Sequence, residues 1–224
     1  MSLPVESPES STSKYSTLAV VAAVLWGGLV AAGSVVGSWY ENTPAAAHEV
    51  VDQWPAETAC GLATTRPTLL MFIHPRCPCS RSSISELAVL MTRCEGRVDA
   101  QVLFLCPTST SRDWAKTDLW ESVRRIPGVA SRMDFDGVEH RRFGARNSGE
   151  VFLFAPGGER LFHGGITAGR GHAGDNAGRA ALEAILWNQD SPVRTTPVFG
   201  CELNCPSPQT QVTHTAVADA KDGR

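Results

Sequence analysis

One long uncharged apolar segment limits what this chain can fold into. Residues 18–37 read LAVVAAVLWGGLVAAGSVVG, and no charged residue lies between Lys14 and Glu41. About 20 apolar residues match the length that a helix needs to cross the hydrocarbon core of a bilayer, which is about 30 Å thick. A buried core helix would carry a polar face, which this segment lacks. The sequence therefore predicts a membrane span or the apolar region of a signal sequence.

We favour an uncleaved anchor over a cleaved signal sequence. The apolar region of a signal sequence is about 7 to 15 residues long, and small residues at the cleavage site follow it closely. Here the best site of that kind, at residues 45–47, lies well beyond the apolar run. Lys14 before the run and Glu41 after it slightly favour a cytoplasmic N-terminus. We therefore expect a single-pass protein of the cell membrane whose soluble domain is extracytoplasmic, in the periplasm.

The rest of the sequence has the composition of one globular domain with polar flanks. Of 224 residues, 42% are hydrophobic and 19% are charged, which excludes a disordered chain, a collagen and a coiled coil. A formal net charge of −3 gives no basic field for nucleic acid, so no nucleic-acid partner is expected. The predicted organisation is a polar tail (1–17), a transmembrane helix (18–37), a stalk (38–62), a domain (63–190) and a C-terminal tail with a cysteine pair (191–224).

Apolar patterns within the predicted domain alternate between strand and helix. Short continuous apolar runs indicate buried strands, and apolar residues at helical spacing follow two of them. A Pro-Gly-Gly turn at residues 156–158 joins two further strands into a hairpin. The order βαβα, then ββα, predicts a mixed sheet with helices on both faces. The predicted strands are 68–73, 101–106, 150–154 and 160–163, and the predicted helices are 84–94, 113–125 and 176–187.

A Cys-Pro-Cys turn between the first strand and its helix carries the clearest chemical signal. Residues 74–81 read HPRCPCSR, so Cys77 stands at a helix N-terminus, where free amide N–H groups and the helix dipole stabilise an anion. His74, Arg76 and Arg81 add positive neighbours. We expect all these effects to lower the pKa of Cys77. An exposed thiol with a low pKa is what disulfide exchange requires.

Residues 72–87, FIHPRCPCSRSSISEL, resemble the strand-turn-helix segment of thioredoxin-fold proteins. The motif of that family is Cys-x-x-Cys followed by a basic residue and, further along, Glu-Leu. Cys77 falls on the attacking cysteine of the motif, and Arg81 falls on the basic residue. Ser80 stands where the family has its resolving cysteine, and the second thiol, Cys79, comes one residue early.

A second departure concerns the residue before the hairpin. The family places a cis-proline there, whereas this sequence has Ser148 and Gly149. The chain is most similar, over about residues 63–201, to RedB, a bacterial group of membrane-anchored thioredoxin-like proteins with a Cys-Pro-Cys turn, a Ser-Gly before the hairpin and a Gly-Ile-Thr…Arg-Gly-His loop. The resemblance implies an α/β fold, a thioredoxin-like mixed sheet with flanking helices after one N-terminal transmembrane helix. It implies protein thiols or disulfides as partners.

A glycine-rich loop over residues 164–178, GGITAGRGHAGDNAG, would lie beside the Cys-Pro-Cys turn in such a fold. The loop matches G-x-G-x-x-G, but a dinucleotide fold needs further βαβ units after that motif. We therefore expect no dinucleotide partner. Four polar residues of the loop can bind a substrate or orient a thiol, or they can simply form the capped entrance of the last helix. They are Arg170, His172, Asp175 and Asn176.

Four of the remaining five cysteines are of two kinds, and Cys60, in the predicted stalk, has no assigned role. Cys94 lies on the apolar face of a predicted helix and Cys106 at a strand end, so both are predicted to be small core residues. Cys201 and Cys205 follow the predicted domain. In an oxidising compartment these two can close a local disulfide, or they can act as a mobile redox partner of Cys77.

Two functions fit these signals. In the first, the protein is a membrane-anchored extracytoplasmic thiol-disulfide oxidoreductase without a cofactor. Cys77 attacks a disulfide or sulfenate, and either Cys79 or the pair Cys201 and Cys205 resolves the mixed disulfide. Because a Cys-x-Cys bridge closes a small, strained ring, we expect an oxidant or isomerase rather than a reductant.

In the second function, the protein binds copper as a chaperone or assembly protein. Cys77 and Cys79, with His74 or His172, would form a soft site suited to Cu(I). Zinc fits less well, because no second Cys/His pair in the sequence has the spacing of a structural zinc finger.

Overall fold

The computed structural model describes residues 12–203 and divides the chain into two compact units, residues 1–41 and 42–224. The first unit contains one helix, α1 (Thr12–Asn42). From Thr17 to Asn42 this helix is long and apolar enough to cross a membrane, and its apolar stretch is not buried against the protein. The outer parts of the two predicted polar tails, residues 1–11 and 204–224, lie outside the described residues.

The second unit is built on a five-stranded mixed sheet with strand order β3-β2-β1-β4-β5. The first three strands run parallel, and β4 and β5 are antiparallel to their neighbours. This sheet, with its flanking helices, confirms the predicted mixed α/β fold. The strands are β1 (Thr68–Ile73), β2 (Asp99–Cys106), β3 (Val129–Phe135), β4 (Glu150–Phe154) and β5 (Arg160–Gly165), and the helices are α2 (Ser80–Arg93), α3 (Asp118–Arg124), α4 (Val138–Phe143) and α5 (Ala177–Leu186).

Two elements were not predicted, and one prediction was wrong. The strand β3 is an edge strand with mostly half-buried and exposed residues, so it lacks the continuous apolar run that marked the other parallel strands. The helix α4 has six residues between two left-handed glycines, which is too short for a periodic pattern. The helix predicted over residues 113–125 is a 3-10 turn followed by α3, because Thr117 is extended and begins a new helix.

The central strand β1 is buried on both faces. On one face, Leu69, Met71 and Ile73 pack against apolar side chains of α2, α3 and α5. A fully buried Leu or Ile side chain contributes about 1.5 to 3 kcal/mol to folding. The largest core therefore lies between the sheet and these three helices, and it fixes the helix that follows the Cys-Pro-Cys turn.

The other face of the sheet carries a smaller aromatic core that the predicted stalk completes. Trp54 packs its ring edge-on against Phe143 of α4 and Phe154 of β4, with ring centroids 5.2 and 5.1 Å apart. The backbone N–H of Trp54 also donates to the carbonyl of Gly158 at 2.8 Å. Although the sequence indicated a stalk over residues 38–62, residues 44–62 lie on the domain and cover apolar surface that the sheet would otherwise expose.

The segment after α5 also lies on the domain. Thr196 N–H donates to the His163 carbonyl at 3.2 Å, and Leu203 N–H donates to the Arg146 carbonyl at 2.7 Å. Although the sequence indicated a tail from residue 191, the chain is held against β5 and the start of β4 up to residue 203. These bonds bring Cys201 to the Cys-Pro-Cys turn.

We predict that Trp54→Ala destabilises the domain by about 2 to 3 kcal/mol, because the half-buried indole fills the aromatic core. Urea unfolding of the full chain in detergent measures this loss. Trp187→Ala is the matched control, because its indole is 47% exposed and contacts the Arg97 guanidinium at the surface. Equal losses in the two variants would contradict a structural role for residues 44–62.

Candidate functional site

The Cys-Pro-Cys turn lies at the C-terminal end of the central strand. Strand β1 ends at Ile73 and α2 begins at Ser80. Cys77 N–H donates to the His74 carbonyl at 3.0 Å, and Ser80 N–H donates to the Cys77 carbonyl at 3.2 Å. Cys79 is the N-cap residue of α2, and its side chain makes no capping hydrogen bond. The turn therefore presents its thiols at a helix start, as the sequence predicted.

Three cysteine thiols meet at this helix start. The Sγ atoms of Cys77 and Cys201 are 3.0 Å apart, and the Sγ atoms of Cys77, Cys79 and Cys201 all lie within 4.8 Å of one another. Cys79 and Cys201 are partly exposed, whereas Cys77 is only 2% exposed. In this conformation Cys77 therefore lacks the exposure that disulfide exchange requires. Cys205 lies outside the described residues.

A close backbone contact places Cys201 in this cluster. A Cβ atom on Gly200 would lie 1.8 Å from the Ser148 carbonyl oxygen, so glycine alone fits there. Ser148 N–H donates to the Cys201 carbonyl at 2.7 Å, and Arg170 Nη1 donates to the Gly200 carbonyl at 2.7 Å. These contacts hold the backbone of residues 200–201 beside the turn.

Ser148 and Gly149 connect the turn to the sheet. Ser148 Oγ accepts a hydrogen bond from His74 N–H at 2.7 Å and is 2.6 Å from Ser80 Oγ. Gly149 has φ +86, and a Cβ atom there would lie 2.6 Å from Ser83 Oγ. Both residues therefore contact the Cys-Pro-Cys turn or the first turn of α2.

Hydrogen bonds, rather than cations, set the acidity of Cys77. Burial opposes ionisation of this thiol, but hydrogen bonds from the Cys201 thiol, the Ser80 hydroxyl and the backbone of Cys201 and Cys79 outweigh it and lower the pKa of Cys77. The direction of this shift is the one predicted from the sequence. A lowered pKa increases the thiolate fraction at neutral pH, and the thiolate is the nucleophile.

The other two thiols of the cluster shift the opposite way. Burial and then the charge of Cys77 raise the pKa of Cys79. Burial, followed by the hydrogen bond and charge of Cys77, raises the pKa of Cys201 to about 12, and the Arg170 guanidinium works against both increases. Of the three thiols, Cys77 therefore ionises most readily.

The three positive neighbours predicted to act on Cys77 contact other groups. The Arg76 guanidinium lies over the Trp114 ring, 5.0 Å from its centroid. Arg81 forms an exposed ion pair with Asp118. Burial, and then the charge of Arg76, lowers the pKa of His74, which favours the uncharged imidazole. None of the three is among the largest contributions to the pKa of Cys77.

The glycine-rich loop brings one of its four polar side chains to the thiols. Arg170 contacts the Cys201 segment, as described above, whereas His172 and Asp175 are exposed. Asn176 caps α5 by accepting a hydrogen bond from Arg179 N–H at 2.8 Å, which decides between Asn176 and Asp175, the two caps that the sequence allows. Its side chain also donates to Glu86 at 3.2 Å.

A buried ion pair that the sequence did not predict holds this loop against α2. Arg179 Nε donates to Glu86 at 2.6 Å, and the Gly174 N–H donates to the same carboxylate at 2.6 Å. Glu86 and Arg179 are 3% and 5% exposed. They are 93 residues apart in sequence, so no local pattern pairs them. The end of the glycine-rich loop therefore anchors the loop to α2, in addition to the contact that Arg170 makes with the Cys201 segment.

The other described cysteines are core residues. Cys94 and Cys106 belong to the main hydrophobic core, as predicted. Burial, followed by the charge of Glu183, raises the pKa of Cys94. Cys60, within the segment of residues 44–62, is buried in the smaller aromatic core, and burial raises its pKa to about 11. Cys94 and Cys60 are therefore poor nucleophiles at neutral pH.

Comparisons with known proteins support the fold. No family model and no curated protein matches the chain. An uncharacterized conserved protein from Geobacillus kaustophilus is 17% identical and superposes with a TM-score of 0.54 over 74% of this chain and 94% of that one. A hypothetical protein from Sinorhizobium meliloti is 20% identical, with a TM-score of 0.51 over 72% and 92% of the two chains. At these identities the likeness concerns the fold alone.

We predict that Ser80→Ala raises the pKa of Cys77, because the thiolate loses a hydrogen-bond donor. At neutral pH, alkylation of Cys77 should slow by roughly 3- to 10-fold. The rate of iodoacetamide labelling as a function of pH, read for each cysteine by mass spectrometry, measures this effect. Ser85→Ala is the control, because its hydroxyl donates to the Arg81 carbonyl on the exposed side of α2. An unchanged Cys77 profile in Ser80→Ala would contradict this account.

Proposed function

We propose that the protein is a thiol-disulfide oxidoreductase acting on protein thiols or disulfides, with Cys77 as the attacking thiol. The observation that carries the proposal is the convergence of Cys77, Cys79 and Cys201 at the start of α2, with a lowered pKa at Cys77. A thiol of lowered pKa next to a second thiol is the arrangement that disulfide exchange needs. The exchange uses no cofactor.

Cys201 is the better candidate for the resolving thiol. Its Sγ is 3.0 Å from Cys77 Sγ, and the contacts of Gly200 with Ser148 and Arg170 hold it there. Cys79 remains close enough to serve as a third thiol. The sequence left Cys79 and the pair of Cys201 and Cys205 as alternatives, and the short distance favours Cys201.

Electrons are transferred in two exchanges. The Cys77 thiolate attacks one sulfur of a substrate disulfide, so a Cys77–substrate bond forms, the substrate S–S bond breaks and the other substrate sulfur leaves as a thiolate. The Cys201 thiolate then attacks Cys77 Sγ, which forms a Cys77–Cys201 disulfide and releases the second substrate thiolate. The substrate gains two electrons, and the two cysteines lose two. The reverse sequence oxidises a substrate dithiol.

The order of these steps follows from how the thiols affect one another. Burial, and then the hydrogen bond and charge of Cys77, keeps Cys201 protonated. When Cys77 enters a mixed disulfide, it loses its charge, so the pKa of Cys201 falls, and Arg170 favours the new thiolate. Because Cys77 is 2% exposed, the segment that carries Cys201 has to move aside before a substrate reaches Cys77.

The exchange favours oxidation or isomerisation of the substrate over its reduction. Hydrogen bonds from Cys201 and Ser80 outweigh the cost of burying the Cys77 thiolate, which belongs to the reduced form of the protein. Stabilising the reduced form raises the reduction potential, so the disulfide form becomes a stronger oxidant. The strained ring expected for a Cys77–Cys79 bridge would act in the same direction.

The site of action is the extracytoplasmic side of the cell membrane. Helix α1 is apolar over Thr17–Asn42, and its apolar stretch is not buried against the protein. A helix of this length and exposure suits a single membrane anchor. With the N-terminus in the cytoplasm, the domain faces the periplasm. In that compartment disulfides persist and protein thiols are oxidised, so the proposed chemistry has its substrates there.

We predict that Cys201→Ser accumulates mixed disulfides with substrate proteins, at least about fivefold more than the protein without substitutions. Cys77 can still attack the substrate, but no Cys201 thiol remains to release the substrate from the mixed disulfide. Non-reducing gels of cells quenched with acid show these species at high mass, and a thiol reductant collapses them. Cys77→Ser should form none.

Two variants complete this experiment. Cys205→Ser is the matched control, since it removes a thiol four positions further along the same segment and should trap no more than the unchanged protein. Cys79→Ser tests the alternative resolving thiol. Trapping by Cys79→Ser with none by Cys201→Ser would assign resolution to Cys79, and trapping by no variant would contradict the oxidoreductase proposal.

The same cluster supports a second candidate, the binding of Cu(I) for delivery to another protein. Three cysteine sulfur atoms within 4.8 Å of one another are a soft donor set that suits Cu(I). The sequence suggested His74 or His172 as an additional ligand. Among the described residues, neither imidazole joins the three sulfur atoms within that distance, so the copper proposal now uses Cys77, Cys79 and Cys201.

Metal analysis of the protein purified without oxygen separates the two candidates. For copper binding we predict about one Cu(I) per chain, lost in Cys77→Ser, Cys79→Ser and Cys201→Ser and retained in Cys205→Ser. A chain that takes up no Cu(I) from a competing chelator while Cys201→Ser traps substrates would exclude the copper candidate.

A further inference from the structure

A second cluster of ligand-type side chains lies on the aromatic face of the sheet. It consists of His48 from the segment before β1, Glu150 at the start of β4 and His163 on β5. Glu150 Oε1 is 2.9 Å from His48 Nε2 and 2.6 Å from His163 Nε2. One donor atom from each residue lies within 4.8 Å of the other two. The Glu150 side chain is 0% exposed, and those of His48 and His163 are 4% and 13% exposed.

The hydrogen bonds of His48 leave one ring nitrogen directed into this cluster. His48 Nδ1 is 3.2 Å from the carbonyl oxygen of Ala46. A carbonyl can only accept, so this bond requires a proton on Nδ1 and leaves Nε2 as the ring nitrogen that faces the cluster. His48 Nε2 is buried and has no hydrogen-bond partner among residues 12–203. A buried ring nitrogen 2.9 Å from a carboxylate oxygen is stable only with a proton or a metal ion between the two atoms.

The surroundings of Glu150 direct its other oxygen away from the cluster. Oε2 accepts hydrogen bonds from the backbone N–H groups of Arg146 and Asn147, at 2.9 and 3.0 Å. The Oε1 atom therefore points to the two imidazoles. Carboxylates and imidazoles that bind metals are usually held in this way by hydrogen bonds to their remaining polar atoms. The bond between His48 and Ala46 is of the same kind.

One side of the cluster opens on a cleft. The cleft has a volume of about 600 Å³ and is lined by residues 44–48, His163 and residues 195–198. Three protein ligands with one open side are the arrangement of a metal centre that keeps a position for water or a substrate. A tetrahedral ion with bonds of about 2.0 to 2.1 Å holds its donors about 3.3 Å apart. The distance between His163 Nε2 and Glu150 Oε1, which is 2.6 Å, would therefore increase by several tenths of an ångström on metal binding.

We propose that His48, Glu150 and His163 bind one divalent transition-metal ion with an open coordination position. Two imidazole nitrogens and one carboxylate oxygen are a donor set used for Zn²⁺ and for non-haem Fe²⁺. The site is separate from the thiol cluster, because it uses none of the cysteines. An ion bound there ties the segment that carries His48 to β4 and β5, so it stabilises the folded domain.

Zinc binding to the full chain in detergent tests the site. The parent for this experiment carries Cys77→Ser, Cys79→Ser and Cys201→Ser, which removes the thiols that compete for zinc and also removes the chemistry of the proposed function. After dialysis against Zn²⁺ buffered by a chelator, atomic emission should show about one zinc per chain. His48→Ala, Glu150→Gln and His163→Ala should each weaken binding at least about 100-fold.

His172→Ala is the matched control, because it removes an exposed imidazole from another part of the domain and should bind zinc like the parent. Zinc should raise the unfolding temperature of the parent and of His172→Ala but not that of the three ligand variants. Co²⁺ in place of zinc should give visible absorption bands in the parent, which reports binding even if a ligand variant folds poorly. A parent that binds neither Zn²⁺ nor Co²⁺, or a folded His48→Ala that binds zinc like the parent, would overturn the proposal.

Discussion

Burial of the central strand on both faces is the constraint on which the rest of this domain depends. All six residues of β1 are buried, so each face of the sheet has to be covered by another part of the chain. Helices α2, α3 and α5 cover one face. Helix α4 and the segment that carries Trp54 cover the other. Because both coverings are required, the Cys-Pro-Cys turn at the end of β1 is fixed in position.

The close approach of Gly200 to Ser148 then places a further cysteine beside the Cys-Pro-Cys turn. It brings Cys201, 124 residues away in sequence, to within 3.0 Å of Cys77. The two thiols shift each other's pKa in opposite directions, so the thiol at the helix start ionises more readily than its neighbour. The acidity of Cys77 is thus decided mainly by buried hydrogen bonds, which water does not screen.

The turn before β4 serves both clusters. Ser148 N–H holds the Cys201 segment, and Asn147 N–H holds the Glu150 carboxylate. The donor atoms differ in kind, since sulfur suits disulfide exchange or Cu(I), and imidazole with carboxylate suits harder divalent ions. A protein with this arrangement can keep thiol chemistry and metal binding at neighbouring places without exchange of ligands between them.

The sequence by itself determined the elements whose signals are local. The runs at 68–73 and 150–154 predicted strands with the observed bounds, the cap of α5 was narrowed to Asn176 or Asp175, and the Cys77 thiol was placed at a helix start. The apolar run of α1 is local in the same sense. Tertiary structure alone decided what depends on residues far apart: the coverage of the aromatic face by Trp54, the pairing of Glu86 with Arg179, the meeting of Cys201 with Cys77, and the convergence of His48 on Glu150. Packing and hydrogen bonding between distant segments fix these contacts, and no periodic pattern in the sequence records which segments will meet.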